Sequence, residues 1–343
     1  MTDFPHSPSD LTSAWLSDVL RFPVEDFSVE PLGEGVGILG LVTRITLNAN
    51  QGPKTLIGKF QSPVEGNRDI ANLYNMYERE YVFYTEIAPT LSVRSPQCHF
   101  SAYDPNTHAF CLLLEDLKDY RVGDQLSGCS VEECESIIRA LAALHAATWM
   151  TEDFKQIGRH NSENQVAGMQ AGLAAGWPKI EAEFNALVPE GCAEKIPQLV
   201  NQIPSLLDQI TQDPICISHG DLRLDNIFFA DDHVALVDFQ AVCRSAPEHD
   251  LAYFLTQSLS QSMRQNRDWL HLYHEELVRH GVDYPFDACQ HRFKQCALYF
   301  LCYAVVIASA LDLANERGQR LATTILTNSF TALVELDALA LIE

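Results

Sequence analysis

One octapeptide concentrates groups able to do chemistry: His219-Gly220-Asp221-Leu222-Arg223-Leu224-Asp225-Asn226. It lies between two short apolar stretches, 215–218 and 227–229, each long enough for a strand. Twelve residues beyond Asn226 comes Asp238, within Val237-Asp238-Phe239-Gln240. In phosphoryl transfer to an alcohol, one carboxylate orients the hydroxyl, an amide five residues on holds Mg²⁺, and a later carboxylate binds the metal again. Asp221, Asn226 and Asp238 fit those parts. A tight loop followed by a hairpin would turn all three toward one cavity. Two protein oxygens, completed by phosphate and water, suit the octahedral preference of Mg²⁺. The competing reading is a structural turn with Asx capping.

Two further signals bear on a phosphate ligand. Gly35-Val36-Gly37-Ile38-Leu39-Gly40 has the spacing G-x-G-x-x-G, and Val42 extends it to the kinase form G-x-G-x-x-G-x-V. A dinucleotide fold requires a helix after these glycines, whereas 41–47 is strand-like. Gly35, Gly37 and Gly40 therefore read as a hairpin whose bare backbone covers phosphates, the competing reading being an ordinary Gly-rich hairpin turn. No G-x₄-G-K-[ST] occurs, which excludes a P-loop nucleotidase. Lys59, in the strand-like stretch 55–60, could neutralise phosphates if an acidic side chain held it. Glu78, Glu80 and Glu86 compete for that part. Glu80 is preferred because Tyr77, Tyr81 and Tyr84 share its helical face.

The elements that must position these residues separate along the chain. Strand patterns run over 27–32, 41–47 and 55–60, then a helix over 71–88, then a hairpin over 98–103 and 109–114. Beyond Leu117 the pattern is mostly helical. A strong helix over 131–150 starts at Ser130 with Glu133 three residues on, a capping-box spacing. Helical patterning fills 154–210 and nearly all of 250–341, interrupted by the short strands flanking the octapeptide and by 234–237. A β-rich first third before a helical remainder indicates α+β, with an N-terminal lobe over 1–116 and a helical lobe over 117–343.

Composition narrows the function. The 343 residues hold 23 Lys and Arg against 46 Asp and Glu, a net charge of −23. A polyanion of this size is expected to bind nucleic acid and anionic membranes poorly, since phosphate contacts require clustered cations. A cationic partner is compatible. The ten cysteines form no C-x-x-C pair, and no leader pattern opens the chain, which reads as cytoplasmic with free thiols. The longest uncharged run, 296–311, is short for a bilayer span and reads as a buried helix.

Together these residues resemble the aminoglycoside phosphotransferase and choline kinase-like family, in particular its bacterial phosphotransferase and ecdysteroid-kinase-like branch. Further marks are Glu80-Tyr81-Val82-Phe83-Tyr84, Leu113-Leu114-Glu115-Asp116-Leu117, Leu141-Ala142-Ala143-Leu144-His145-Ala146 and Asp250-Leu251-Ala252-Tyr253. The resemblance implies a protein-kinase-like two-lobed fold and an ATP- and Mg²⁺-dependent kinase of a small-molecule hydroxyl. It implies that Asp221 orients or deprotonates the acceptor and that Arg223 touches the γ-phosphate. Asn226 and Asp238 would bind Mg²⁺. Lys59, clamped by Glu80, would hold ATP phosphates under Gly35, Gly37 and Gly40. Glu115, Asp116 and Leu117 would offer backbone groups to adenine, and Asp250 would brace the catalytic loop.

Gln240 replaces the Gly of D-F-G, which disfavours a flip of that segment. Only eleven residues separate Asp238 from Asp250, leaving no room for an activation loop. This argues for a small-molecule acceptor, with Trp177, Glu248, Tyr253 and Tyr303 as lining candidates whose competing reading is plain packing. Cations such as choline or aminoglycosides compete with steroid or lipid-like alcohols and hydroxy acids. Two rival classes stand beside the kinase: a nucleotide-binding regulator without transfer activity, and a metal hydrolase using His219, Asp221, Asp238 and His249.

Overall fold

The computed structural model describes residues 4–32 and 39–342. The chain forms two compact units, Met1–Arg121 with Ala235–Ala241, and Val122–Val234 with Val242–Glu343. The break falls after Arg121 rather than after 116. The segment carrying Asp238 belongs to the first unit, where Leu236 N–H donates to Arg94 O at 2.9 Å and Phe239 stacks on Phe83.

The first unit is built on an antiparallel sheet of β1 (Asp26–Pro31), β2 (Gly40–Asn48), β3 (Thr55–Gln61), β4 (Cys98–Tyr103) and β5 (Phe110–Glu115). The strand order is β1-β2-β3-β5-β4. Helix α1 (Ser13–Leu20) is capped by Thr12, which accepts from Trp15 N–H. Its Leu16 joins Ile45, Leu47, Leu56, Phe60 and Leu113 in an apolar cluster. Side chains alternate across a strand, so Lys59 in β3 points away from the face of Leu56 and Phe60. The expected helix over 71–88 is broken. It comprises α2 (Glu65–Leu73), α3 (Met76–Val82), a π-turn over Phe83–Ile87 and a 3-10 turn over Ala88–Thr90. Asn75, at φ 53°, makes the break between α2 and α3, a conformation Asn tolerates better than most residues.

In the second unit α4 (Val131–Ala147) begins at the expected capping box. Ser130 Oγ accepts from Glu133 N–H, and Glu133 accepts from Ser130 N–H at 2.8 Å. Helices α5 (Glu163–Phe184) and α6 (Cys192–Ile210) follow. Strands Cys216–Ser218 and Cys243–Ser245 pair antiparallel. The chain ends in α7 (Glu248–Tyr253), α8 (Gln261–Asn266), α9 (Trp269–Arg279), α10 (Phe286–Ala310) and α11 (Glu316–Glu335). By length and composition α10 could cross a membrane, but 67% of its most apolar window is buried inside the protein. It is a core helix, as its Phe293, Leu298, Phe300 and Leu301 show by their burial.

Candidate active site

The octapeptide forms a braced loop in the second unit. Gly220 has φ 83°, a conformation that disfavours any side chain at the turn before Asp221. Buried Asp250, near the start of α7, accepts from His219 N–H at 2.6 Å through Oδ2 and from Gly220 N–H at 2.9 Å through Oδ1. Its Oδ2 also lies 3.2 Å from His145 Nε2. Burial alone would raise the Asp250 pKa; His145 and His249 outweigh it and hold the carboxyl below the ordinary range. His145 is a satisfied core residue, with Tyr273 Oη 2.7 Å from its Nδ1. His219 is buried under the loop, its Nδ1 accepting from Asp221 N–H at 3.3 Å.

The Asp221 carboxylate is held on both oxygens. Tyr253 Oη donates to Oδ1 at 2.9 Å, and Asn226 Nδ2 donates to Oδ2 at 3.0 Å. Asn226 Nδ2 also donates to Asp221 O at 2.8 Å. Its nitrogen is thereby committed to the loop, and the amide oxygen is the atom this geometry offers a cation. Arg223 places Nε 3.5 Å from Asp221 Oδ2 and Nη1 3.5 Å from Asp225 Oδ2. Burial raises the Asp225 carboxyl above its ordinary value.

In the first unit Lys59 Nζ stands between two carboxylates, 2.5 Å from Glu80 Oε1 and 2.8 Å from Asp238 Oδ1. Glu80 is buried, whereas Glu78 and Glu86 are exposed. The Glu80 side chain is only 2% exposed and that of Asp238 is 26%. Burial would lower the Lys59 pKa, but Asp238 and Glu80 hold it above the ordinary lysine range. Burial, with the charge of Asp238, raises Glu80 despite Lys59. Asp238 itself has φ 68°, a left-handed conformation that costs roughly 1–3 kcal/mol outside glycine. The adjoining rings of Phe239 and Phe83 stack at 3.5 Å and 9°. That stack fixes the Asp238 turn to the helix end beyond Glu80. Gln240 Nε2 donates to Asp238 Oδ2 at 3.4 Å.

The remaining candidates divide. Gly35 and Gly37 lie outside the described residues. Gly40 opens β2 opposite Gln61, and a Cβ there would make only an ordinary contact with Phe60 O at 3.5 Å. The side chains of Glu115 and Asp116 are held in ion pairs, with Arg94 at 2.5 Å and Arg44 at 2.7 Å. Glu115 N–H donates to Gln97 O, and Leu117 O accepts from Tyr120 N–H. The adenine contact expected of this segment would fall to its other backbone groups. Two acceptor-lining candidates follow the competing reading and are packing residues. Glu248 is fully buried beside Arg292 at 3.9 Å, and burial raises its pKa to about 7. Trp177 is buried edge-on to Phe330.

Sequence reasoning missed two positioning residues. Neither lining nor packing describes Tyr253, whose hydroxyl donates to Asp221. Gly123 donates its N–H to Ile227 O at 2.9 Å, and a Cβ there would meet Leu224 O at 2.1 Å. Only glycine allows so close an approach to the turn before Asn226. No local sequence signal marks it, because the neighbour is a hundred residues away.

The architecture matches solved structures of small-molecule kinases. Choline kinase from Cryptosporidium parvum Iowa II has a TM-score of 0.61 at 11% identity, over 98% of this chain and 95% of that one. A candidate aminoglycoside phosphotransferase from Ralstonia eutropha JMP134 has a TM-score of 0.59 at 16% identity, over 94% and 97%. Plasmodium vivax ethanolamine kinase has 0.52 at 12%, over 92% and 82%. At these identities the likeness establishes the fold, an α+β protein-kinase-like fold of the aminoglycoside phosphotransferase and choline kinase type. No curated protein matches the chain in sequence. The sequence model of the ecdysteroid kinase-like family matches residues 34–283, and the chain belongs to that family.

Proposed function

We propose that this protein is a cytoplasmic phosphotransferase that moves the γ-phosphoryl group of ATP to the hydroxyl of a small molecule. The observation that carries the reading is the Asp221 carboxylate, fixed by Tyr253 and Asn226 on a loop whose backbone Asp250 braces. A loose phosphoryl transition state asks the protein for position and charge rather than covalent chemistry. Asp221 orients the acceptor hydroxyl and takes its proton as the new O–P bond forms. Arg223 meets the charge of the γ-phosphoryl group. Lys59 holds the other phosphates, with Glu80 keeping its ammonium in place and Asp238 as the partner it shares.

The donor set suits a hard divalent cation: an amide oxygen at Asn226 and a partly exposed carboxylate at Asp238. Mg²⁺, when bound, would neutralise phosphate charge. The free state of all ten cysteines supports a reducing compartment.

The test is Asp221→Ala assayed with Mg·ATP and a panel of alcohols. Turnover is expected to fall by about 10²–10⁴-fold with nucleotide binding retained. Unchanged product formation in that variant overturns the mechanism. A wild-type chain that binds nucleotide and transfers nothing across the panel overturns the enzymatic reading.

A further inference from the structure

We propose that His160, Cys243 and His249 form a buried Zn²⁺ site behind the catalytic loop. The site shares no residue with the proposed Mg²⁺ ligands and does not depend on the phosphotransferase reading. One ligand atom from each residue lies within 4.8 Å of the other two, and all three residues are buried. They are the one such group of three among the described residues.

Backbone hydrogen bonds lock the three segments together. Cys243 opens the strand paired with Cys216–Ser218, directly opposite Ser218. His160 N–H donates to Arg244 O, and Arg244 N–H donates to Gly158 O, both at 3.0 Å. His249 N–H donates to Ala246 O at 3.0 Å. The donors thus sit on a preformed scaffold, not on mobile ends.

The second observation is His249 itself. It is wholly buried, and neither ring nitrogen has a hydrogen-bond partner. A buried imidazole in that state calls for a ligand. Asp250 Oδ1 lies 3.5 Å from Nδ1, on the side where a carboxylate supports a metal-bound histidine, so Nε2 is the nitrogen assigned to the metal. The His160 ring is steadied by Tyr299, whose Oη is 2.8 Å from Nε2 and accepts from Gln165 at 2.9 Å.

Two imidazoles and a thiolate select a borderline cation such as Zn²⁺ over Mg²⁺ or Ca²⁺, which require oxygen. Zn–N and Zn–S distances of about 2.0–2.3 Å require the three atoms to draw together by roughly 1 Å. Binding displaces the Cys243 thiol proton to solvent, and water completes the coordination. The net positive charge of the Zn–thiolate unit then faces Asp250, the residue that holds His219 and Gly220. Zn²⁺ would therefore stiffen the loop that carries Asp221.

The full-length chain, stripped with chelator and titrated with Zn²⁺, is expected to bind one equivalent and to gain thermal stability. Co²⁺ in its place should give a sulfur-to-metal charge-transfer band, and alkylation mapping should show Cys243 protected. Cys243→Ser and His249→Gln should each weaken Zn²⁺ by about 100-fold or more, and Tyr299→Phe by about tenfold. Cys302→Ser, elsewhere in the core, should leave uptake unchanged. If the ligand variants do not fold, stoichiometry and the alkylation map of the unmodified chain decide. Uptake below a tenth of an equivalent, or binding that leaves Cys243 unprotected, overturns the proposal.

Discussion

The two units hold their key carboxylates in different ways. In the first, Glu80 and Asp238 share one cation, Lys59. In the second, Asp221 and Asp250 are held chiefly by N–H and O–H donors from the loop, Asn226 and Tyr253. An ion pair with one partly exposed member can exchange partners when phosphate or a divalent cation arrives. A carboxylate fixed by directional hydrogen bonds keeps its aim. The first arrangement suits exchange with an incoming ion, the second suits holding one group in a fixed direction.

The sharpest way to break this comparison is Asp250→Ala, which leaves the N–H groups of His219 and Gly220 buried without an acceptor. Unfolding in denaturant should show a loss of about 3–5 kcal/mol. A loss below 1 kcal/mol would mean the loop does not need its brace. Next is Lys59→Met, which leaves two carboxylates without their cation. It should cost about 3 kcal/mol at neutral pH, and adding Glu80→Gln should recover most of that. A double variant no more stable than the single one would contradict charge compensation in the first unit.

A smaller effect is expected from Tyr253→Phe. Turnover should fall about tenfold, about 1.4 kcal/mol, with nucleotide affinity unchanged, because only one of the restraints on Asp221 is lost. Equal losses in turnover and nucleotide binding would assign Tyr253 a structural part instead. The smallest effect concerns Glu115. Burial raises its carboxyl, but Arg94 outweighs that and holds it below the ordinary value. A depressed pKa stabilises above the unfolded value of 4.5, and that contribution disappears as pH falls through the folded value. Glu115→Gln should thus cost a few tenths of a kcal/mol at pH 7, given its solvent exposure, and progressively less as pH falls below 4.5.

Short-range chemistry was legible in the sequence. Ser130 and Glu133 announce the start of α4 because a capping box needs only four residues. The loop from His219 to Asn226 is legible for the same reason. The choice of Glu80 over Glu78 and Glu86 follows from helical periodicity, since the apolar face is the buried one. Periodicity also misled: apolar residues continue in phase through Asn75, so the break between α2 and α3 is invisible to it. Gly123 and Tyr253 act on partners far along the chain, which no local pattern encodes. The left-handed turn at Asp238 is similarly hidden, because Asp carries no glycine-like signature.

The pair of donors on Asp221 has a chemical corollary. Each of its oxygens already receives a hydrogen bond, from a phenol on one side and an amide on the other. With both oxygens tied, the carboxylate cannot spin about its Cβ–Cγ bond. On the proposed reading an incoming alcohol is met by an acceptor already facing it, and removing either donor would free that rotation.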